Sequence, residues 1–406
     1  MVDLSVNFAG IELKNPLVVA SSDTVRDIRQ IKRAEEHGAS AIILKAILPP
    51  GSIELKSVLR IFVDAKGQAL YGAAGANRLS YDQGVELVKA AKKETRIRIG
   101  VNIPFLTYED PELIADAAKR VANAGADFVE INFKPQVLNY LRMMERVEEW
   151  KTNTGEEFGR VGEHMRNLLM QVSEGTKIIK QAVNIPVITK LVIEGVDALP
   201  QALAAERAGA DAIDAINSLG GAFKVDIYNG GRPKIPGALT AAFQVSGAIM
   251  KPYSQSAVAR ISKAVKIPVM GTGGLMTWTD VVEMIMFGAT TVSFCALLMI
   301  RGFEALTEIE KGLRGYMEQQ SYHCIDDFRS SALQYVASSI SACEVIPCMA
   351  RIDMGKCTGC GICLKPAHCL AISMGNEKAV VNESECMGCG TCFLLCPAQA
   401  VSMIEI

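Results

Sequence analysis

The sequence predicts a (β/α)8 barrel followed by a small α+β domain of the bacterial 2[4Fe-4S] ferredoxin type, and three observations lead to this fold class. Short apolar segments alternate with helical stretches eight times over about the first 330 residues. Four of the helical stretches end in Gly-Ala directly before an apolar segment, and glycine there favours the left-handed conformation that caps a helix. Eight of the 12 cysteines lie between Cys357 and Cys396.

The eight predicted strands are short and mostly apolar or β-branched, as in parallel strands that are buried on both faces. They span 17–20, 41–44, 97–102, 127–131, 186–191, 212–216, 268–271 and 291–294. The predicted helices span 24–36, 81–93, 111–123, 159–182, 199–208, 253–265, 279–287 and 303–319. A hairpin of 6–8 with 11–13 precedes them. An open doubly wound sheet is the alternative arrangement of the same elements.

The length of 406 residues fits one large barrel with an appendage. We expect the barrel over 1–330, a linker over 331–350 and the ferredoxin domain over 351–406. Half of the residues are hydrophobic, and Lys+Arg 42 nearly balance Asp+Glu 44. This composition excludes a disordered or strongly basic chain, so no nucleic-acid partner is expected.

The first residues show no basic stretch followed by an apolar run, which predicts a cytoplasmic protein without a targeting segment. The longest uncharged run, 284–300, approaches the length of a membrane span. It contains glycine and hydroxyl residues and falls within the repeating barrel pattern, so no membrane partner is expected.

The cysteines predict two [4Fe-4S] clusters, because 386–397 reads C-x2-C-x2-C-x3-C-P and a similar half precedes it. The fourth cysteine of each run reaches the other cluster in such modules. The expected ligand sets are therefore Cys357, Cys360, Cys363 and Cys396 for one cluster, and Cys386, Cys389, Cys392 and Cys369 for the other. A pair of zinc knuckles is the alternative, and His368 is an alternative ligand to Cys369.

A one-electron carrier joined to a barrel indicates a two-electron organic centre, and flavin is the usual converter between the two. The glycine-rich turn 271–274 follows a strand and precedes a helix, so its backbone amides can bind a phosphate. Lys45 and Lys190 follow the second and fifth strands and can place positive charge beside a flavin ring. Lysines that serve only solubility are the alternative interpretation.

These features resemble the dihydroorotate dehydrogenase and dihydropyrimidine dehydrogenase family. The matching segments occur in family order: Asn15-Pro16, Glu130-Ile131-Asn132, 216–220, Val245-Ser246-Gly247 and 271–274. A barrel followed by a two-cluster tail is also similar to the pyrimidine-reducing subunit of bacterial NAD-dependent dihydropyrimidine dehydrogenase. The resemblance implies an oxidoreductase that acts on CH-CH bonds.

The resemblance also implies a set of binding residues. FMN would be bound by Ala20, Ser21, Lys45, Asn102, Lys190, Ser246, Gly247, Gly273, Gly274, Cys295 and Ala296. The substrate would be bound by Asn132, Asn217 and Ser218.

The loop after the fourth strand departs from the family pattern. It reads Asn132-Phe133-Lys134-Pro135, without the family's serine or cysteine that transfers a proton beside the flavin. Lys134 is the predicted catalytic residue in its place, and Thr152, Thr154, Glu156 and Glu157 are alternatives. The segment 72–76 also lacks an asparagine that often contacts the pyrimidine. The substrate is therefore expected to differ from uracil and dihydroorotate.

The predicted function is an FMN- and iron-sulfur-dependent oxidoreductase acting on a C=C or C=N bond of a small cyclic or conjugated compound. No G-x-G-x-x-G follows a strand, so electrons would be exchanged with a redox partner protein through the two clusters. That partner would be an NAD(P)H-oxidising flavoprotein subunit or a soluble ferredoxin, and a homo- or hetero-oligomer is expected. A non-catalytic, flavin-relay electron-transfer subunit of a larger redox complex is the alternative.

Overall fold

The computed structural model describes residues 2–48, 61–63, 70–72, 78–105, 111–133, 154–193, 197–221, 225–233, 243–337 and 346–406. The chain divides into two compact units, Met1–Val336 and Ala337–Ile406. Each unit is described by itself below.

Eight parallel strands form a closed barrel in the first unit, and each strand pairs with its neighbours in chain order. In order, the strands are Leu17–Val19, Ala41–Leu44, Arg98–Pro104, Phe128–Asn132, Val187–Lys190, Ala212–Ala215, Val269–Thr272 and Thr291–Phe294. Closure of the sheet confirms the predicted (β/α)8 fold over the open doubly wound alternative. The carboxyl ends of the strands consequently meet at one face of the barrel.

The helices of this unit alternate with the strands. They are Ile28–Glu36, Tyr81–Glu94, Pro111–Asn123, Thr154–Ala182, Ala198–Arg207, Lys251–Ser262, Trp278–Met286, Ala296–Arg301 and Glu304–Gln319. The four predicted Gly-Ala helix ends adopt the expected left-handed conformation, with φ of +100° at Gly38 and Gly125, +93° at Gly209 and +104° at Gly288. The first helix begins at Ile28, later than predicted, because the Asp27 carboxylate caps it by accepting from the Arg29 N-H at 2.9 Å.

The barrel strands are buried almost throughout, which explains why they are mostly apolar. The uncharged run 284–300 is divided between the end of one helix, the strand Thr291–Phe294 and the start of another helix. No helix within the described part of the chain is long and apolar enough to cross a membrane.

Two insertions after barrel strands pair with each other. Strands Leu219–Gly221 and Phe243–Ser246, from the insertion after the sixth barrel strand, join Leu70–Gly72 and Ile61–Val63 in one antiparallel sheet. Val225–Asp226 pairs with Arg232–Pro233, and Ile47–Leu48 pairs with Leu79–Ser80.

The predicted N-terminal hairpin is confirmed. Val6–Phe8 pairs with Ile11–Leu13, and Ala9 and Gly10 have φ of +56° and +82° in the turn. Further along, 3-10 turns occupy Ala248–Met250, Ile325–Asp327 and Ser331–Tyr335.

The C-terminal unit is built from two antiparallel strand pairs, Cys348–Ile352 with Val401–Glu405 and Ile372–Gly375 with Lys378–Val381. One short helix, Thr391–Leu395, and the 3-10 turns Ile362–Leu364 and Glu383–Glu385 complete its described elements. Its core contains Ala350, Cys363, Ala379, Cys392 and Val401.

Candidate active site

A cavity opens at the carboxyl ends of the barrel strands, with a volume of about 1140 Å³ including the solvent space at its mouth. Every residue predicted to bind FMN or substrate lines this one cavity. The residues are Ala20, Ser21, Lys45, Asn102, Asn132, Lys190, Asn217, Ser218, Ser246, Gly247, Gly273, Gly274, Cys295 and Ala296.

The predicted proton donor, Lys134, lies outside the described residues, and so does Thr152. Thr154, Glu156 and Glu157 belong to the helix Thr154–Ala182, but their side chains also lie outside the described part. The segment 73–77 is likewise outside it. The catalytic role of Lys134 therefore remains a prediction from the sequence.

One end of the cavity is formed by backbone rather than by side chains. Gly273 and Gly274 have φ of +115° and +84°, and Gly247 has +87°. A Cβ atom at Gly274 would stand 2.2 Å from the backbone nitrogen of Lys251, so only glycine fits there. The Ser254 hydroxyl donates to the Gly273 carbonyl at 2.6 Å and holds this turn in place. Such a turn leaves room for a phosphate to approach backbone N-H groups.

The floor of the cavity contains a buried charge cluster. Lys190 ends the fifth strand, and its Nζ donates to Asp214 Oδ2 at 2.6 Å and lies 3.6 Å from Glu130 Oε2. Asn102 donates through Nδ2 to Glu130 Oε1, and Thr272 donates through its hydroxyl to Asp214 Oδ1. Sequence analysis identified Lys190 but missed its two carboxylate neighbours.

Burial dominates the ionisation of Glu130. Burial raises its pKa to about 8; the charge of Lys190 opposes this rise, whereas the charge of Asp214 adds to it. For Lys190, burial lowers the pKa, but the charges of Asp214 and Glu130 outweigh it and raise the pKa above the usual value. These shifts favour the charged form of Lys190 and the protonated form of Glu130.

The second predicted lysine is also held by a carboxylate that sequence analysis missed. Lys45 Nζ donates to Asp23 Oδ2 at 2.9 Å, and both side chains line the cavity. Cys295 lies close to these groups: burial raises the pKa of its thiol, and the charges of Lys45 and Lys190 oppose the rise. Asp23 was not predictable because nothing in its local sequence distinguishes it from a loop aspartate.

A part of the cavity lining that we call the amide wall consists of amide and hydroxyl groups, from Asn132, Asn217, Ser218 and Gln244. Asn217 donates through Nδ2 to Asn132 Oδ1 at 2.8 Å, and the Ser218 hydroxyl donates to Gln244 Oε1 at 2.7 Å. Gln244 lines the cavity, and sequence analysis missed it. The only signal was its position directly before the matched segment 245–247.

The cavity has the properties that an FMN site requires. Asn102 Oδ1 and Gln244 Nε2 are buried and have no hydrogen-bond partner among the described residues, so the cavity offers an acceptor and a donor to a bound group. A flat, anionic, hydrogen-bonding molecule would match the Asn102 acceptor, the two lysines and the glycine turn, which leaves the Gln244 donor for a second ligand beside it. FMN is such a molecule.

The eight clustered cysteines of the C-terminal unit divide into two sets. One pocket is lined by Cys357, Cys360, Cys363 and Cys396, and another by Cys369, Cys386, Cys389 and Cys392. These sets have the same members as the two predicted ligand sets.

Backbone N-H groups stabilise two of these thiols as thiolates. The N-H groups of Ala379 and Gly359 lower the pKa of Cys357. The N-H and hydroxyl of Thr391, followed by His368, lower the pKa of Cys389 to about 7. His368 Nε2 lies 3.4 Å from Cys389 Sγ. His368 thus contacts a predicted ligand, while Cys369 lines the pocket itself.

The zinc alternative requires several side chains of the C-terminal unit to bind one metal ion together. Among the described residues, no group of three or more His, Cys, Asp and Glu side chains is arranged to hold a single metal ion. A cubane cluster needs a wider spacing than a single ion, because its thiolates bind different iron atoms.

Comparison with known proteins matches both parts of the chain to described families. Residues 3–317 match the family described as dihydroorotate dehydrogenase, and residues 379–402 match a 4Fe-4S binding domain. The catalytic subunit of dihydroorotate dehydrogenase B (NAD(+)) from Thermococcus kodakarensis is 28% identical over 82% of this chain and 98% of its own length. The corresponding subunit of Pyrococcus abyssi is 28% identical over 82% of this chain and 99% of its own.

A further relative extends past the barrel. The NAD-dependent dihydropyrimidine dehydrogenase subunit PreA of Escherichia coli K12 is 23% identical over 89% of this chain and 84% of its own length. Together with the closed barrel and its cavity, these matches show that the chain belongs to the dihydroorotate dehydrogenase family, flavin-dependent oxidoreductases that act on CH-CH bonds, and carries a 4Fe-4S binding domain at its C-terminal end.

Proposed function

We propose that this chain is an FMN- and iron-sulfur-dependent oxidoreductase that acts on a C=C or C=N bond of a small cyclic or conjugated compound, in a manner similar to dihydropyrimidine dehydrogenase. The observation that carries the proposal is the single cavity lined by all the predicted FMN and substrate residues. When bound there, FMN would exchange hydride with the substrate and single electrons with iron-sulfur clusters.

Different residues of the cavity would contact different parts of FMN. The turn at Gly273 and Gly274, with Gly247 and Ala296, would bind the phosphate through backbone N-H groups. Lys190 would place its charge against the ring system. The Oδ1 atom of Asn102, which has no hydrogen-bond partner among the described residues, would accept a hydrogen bond from the ring. Ala20, Ser21, Lys45, Ser246 and Cys295 would form the remaining contacts with FMN.

The amide wall would hold the substrate against the flavin. Asn132, Asn217 and Ser218 would orient a planar molecule that carries carbonyl or amide groups, with Gln244 beside them. Lys134 would deliver the proton that accompanies hydride transfer. The altered loop around Lys134 supports a substrate other than uracil or dihydroorotate.

The C-terminal unit would exchange electrons with another protein. Its two thiol sets would bind two [4Fe-4S] clusters, in a domain over 351–406 joined by the linker 331–350 to the barrel over 1–330. The names of the relatives describe them as subunits, which supports a redox partner here. We propose an NAD(P)H-oxidising flavoprotein subunit or a soluble ferredoxin as that partner, in the cytoplasm.

The first test is the cofactor content of the protein purified without oxygen. We expect one FMN and about eight irons per chain. Zinc in place of iron, or no flavin after reconstitution, would contradict the proposal.

The second test separates an enzyme from a flavin relay. The holoprotein is reduced with chemically reduced ferredoxin, and its flavin absorbance is followed as unsaturated ring compounds are added, with uracil and orotate as comparisons. Reoxidation by one of these compounds supports the enzyme. Flavin that is reduced by the clusters and reoxidised by none of the compounds supports the relay alternative.

A further inference from the structure

Two carboxyl groups and one amine are buried together beneath the cavity, in a row across adjacent barrel strands. Glu130 and Asp214 are 0% exposed and Lys190 is 6% exposed. In the strand registers, Glu130 is opposite Asn102, and Lys190 is opposite Asp214. Lys190 and Asn102 line the cavity, whereas the two carboxylates do not. Hydrogen-bonded links between the carboxylates and a bound group would therefore run through Lys190, Asn102 or Thr272, which also lines the cavity and donates to Asp214.

The two carboxyl groups are not equivalent partners of Lys190. Asp214 receives two donors, the Lys190 ammonium at 2.6 Å and the Thr272 hydroxyl. Glu130 receives one donor, from Asn102, and its Oε2 has no hydrogen-bond partner among the described residues although Lys190 Nζ is 3.6 Å away. Asp214 is thus the counter-ion of Lys190, and Glu130 is a surplus carboxyl group. A second ionised carboxylate would leave a net negative charge in the barrel interior, which is costly.

We infer that Glu130 is a positioning residue that binds a proton at Oε2 when negative charge forms in the cavity beside Lys190, and releases it when that charge leaves. The inference rests on the proposed function, because the charge would be that of reduced FMN. At a pH where Glu130 is ionised before reduction, two electrons, from the clusters or from the organic substrate, would then bring one proton to the flavin and a second proton, from solvent, to Glu130. Reoxidation would release both protons.

The groups that face Glu130 set the pH at which this occurs. Lys190 and Asp214 are the titratable groups next to it among the described residues, Asn102 is its uncharged neighbour, and Cys295 faces Lys190. Because burial raises the pKa of Glu130 to about 8, the carboxyl group is already protonated at neutral pH. Above pH 8 it is ionised until negative charge nearby raises its pKa further.

The test is the midpoint potential of the bound FMN in the full-length holoprotein, measured with redox mediators from pH 6 to 10. Each additional proton taken up per two electrons changes the equilibrium constant of flavin reduction a further tenfold per pH unit. The midpoint potential then changes by about 30 mV more per pH unit. We expect the slope to steepen by this amount above about pH 8 in the wild-type protein, and to show no such change in Glu130→Gln.

Two further variants sharpen the test. In Asp214→Asn, Glu130 becomes the counter-ion of Lys190, so the change of slope should move to lower pH. Glu86→Gln removes an exposed carboxylate that pairs with Lys89 at 2.8 Å, and it should behave as the wild type does. If Glu130→Gln fails to fold, three other measurements test the inference. They are the slope of the wild type, the pH at which the slope changes in Asp214→Asn, and a protonated-carboxyl band in the reduced-minus-oxidised infrared spectrum.

A constant slope in the wild type, or a steepening that survives in Glu130→Gln, would overturn the inference. If Glu130 only packed against its neighbours, Glu130→Gln would shift the midpoint potential by the same amount at every pH. A wild-type protein that binds no FMN would instead refute the proposed function, and the inference with it.

Discussion

The two units of this chain differ in what their interiors contain. The barrel strands bury long apolar side chains such as Leu17, Ile42 and Ile43, which are 0% exposed. The core of the C-terminal unit is small, and two of its five residues are Cys363 and Cys392. A unit of this size with so small a core is marginally stable by itself, and a bound metal cluster would stabilise it. We therefore expect the barrel to be stabilised by its own core and the C-terminal unit to depend on what its thiols bind.

The two units also differ in how their polar groups are satisfied. In the barrel, the buried charges of Lys190 and Asp214 neutralise each other, so this part of the cavity is formed before any ligand binds. In the C-terminal unit, Cys360 and Cys389 are exposed and lie on the linings of the two thiol pockets. The barrel cavity is thus formed by the fold of the barrel, whereas we expect the C-terminal unit to fold around the groups that its thiols bind.

The strongest test of this difference is Cys392→Ala. We expect about half of the iron to be lost and the C-terminal unit to become sensitive to protease, because a core residue and a cluster ligand disappear together. FMN content and the fold of the barrel should be unchanged. Iron analysis and limited proteolysis measure these effects.

Cys348→Ala is the matched control. Cys348 lies in a strand of the same unit and is on neither pocket lining, and its Sγ is 3.4 Å from the Gly388 carbonyl oxygen. The iron content of Cys348→Ala should equal that of the wild type. Full iron in Cys392→Ala would show that the unit does not need this ligand.

Lys190→Met tests the barrel side of the comparison. It leaves two buried carboxyl groups without a cation, so we expect the free energy of unfolding to fall by about 3–5 kcal/mol and FMN retention to fall at least about tenfold. Denaturant unfolding and flavin release measure the two effects. Lys180→Met, which removes a half-exposed partner of Asp211, should cost less than about 1 kcal/mol. Equal effects in the two variants would contradict the assigned role of Lys190.

The pH dependence of barrel stability tests the ionisation of Glu130. Its pKa is raised by burial from 4.5 to about 8, so its contribution to stability is complete below about pH 4.5 and is lost as pH rises through about 8. Relative to Glu130→Gln, the wild-type free energy of unfolding should fall by up to about 1.4 kcal/mol per pH unit across that range. Urea unfolding at pH 6 and 8 with saturating FMN measures it. A difference that is independent of pH would exclude a protonated Glu130.

Gln244→Ala should have the smallest effect of the four. It removes one uncharged hydrogen-bond donor from the amide wall, so we expect the Michaelis constant of the substrate to rise about 2–10-fold with FMN content unchanged. Gln255→Ala, on the outer helix Lys251–Ser262 where Gln255 pairs with Glu283, should leave the constant as it is. Loss of FMN from Gln244→Ala would place Gln244 at the flavin rather than at the substrate.

Much of the architecture was readable from local patterns in the sequence. An apolar segment of four to six residues bounded by Gly-Ala indicates a buried strand, and three cysteines at i, i+3 and i+6 indicate a cluster site, because strand burial and cluster geometry act over short spans of chain. Element ends were less predictable. The long helix begins at Thr154, five residues before the predicted start, and the first helix begins at Ile28 because Asp27 caps it.

The sequence by itself thus determined the alternation of strands and helices and the grouping of the cysteines, and it favoured a closed barrel over an open sheet. Only the tertiary structure decided the electrostatic partners: Asp23 for Lys45, Asp214 and Glu130 for Lys190, and Gln244 beside Ser218. Each pair joins side chains from separate elements, and ion pairs between distant segments leave no periodic pattern in either one. The closed barrel also decided the direction of the pKa shift of Glu130, because burial raises this pKa and outweighs the opposing charge of Lys190.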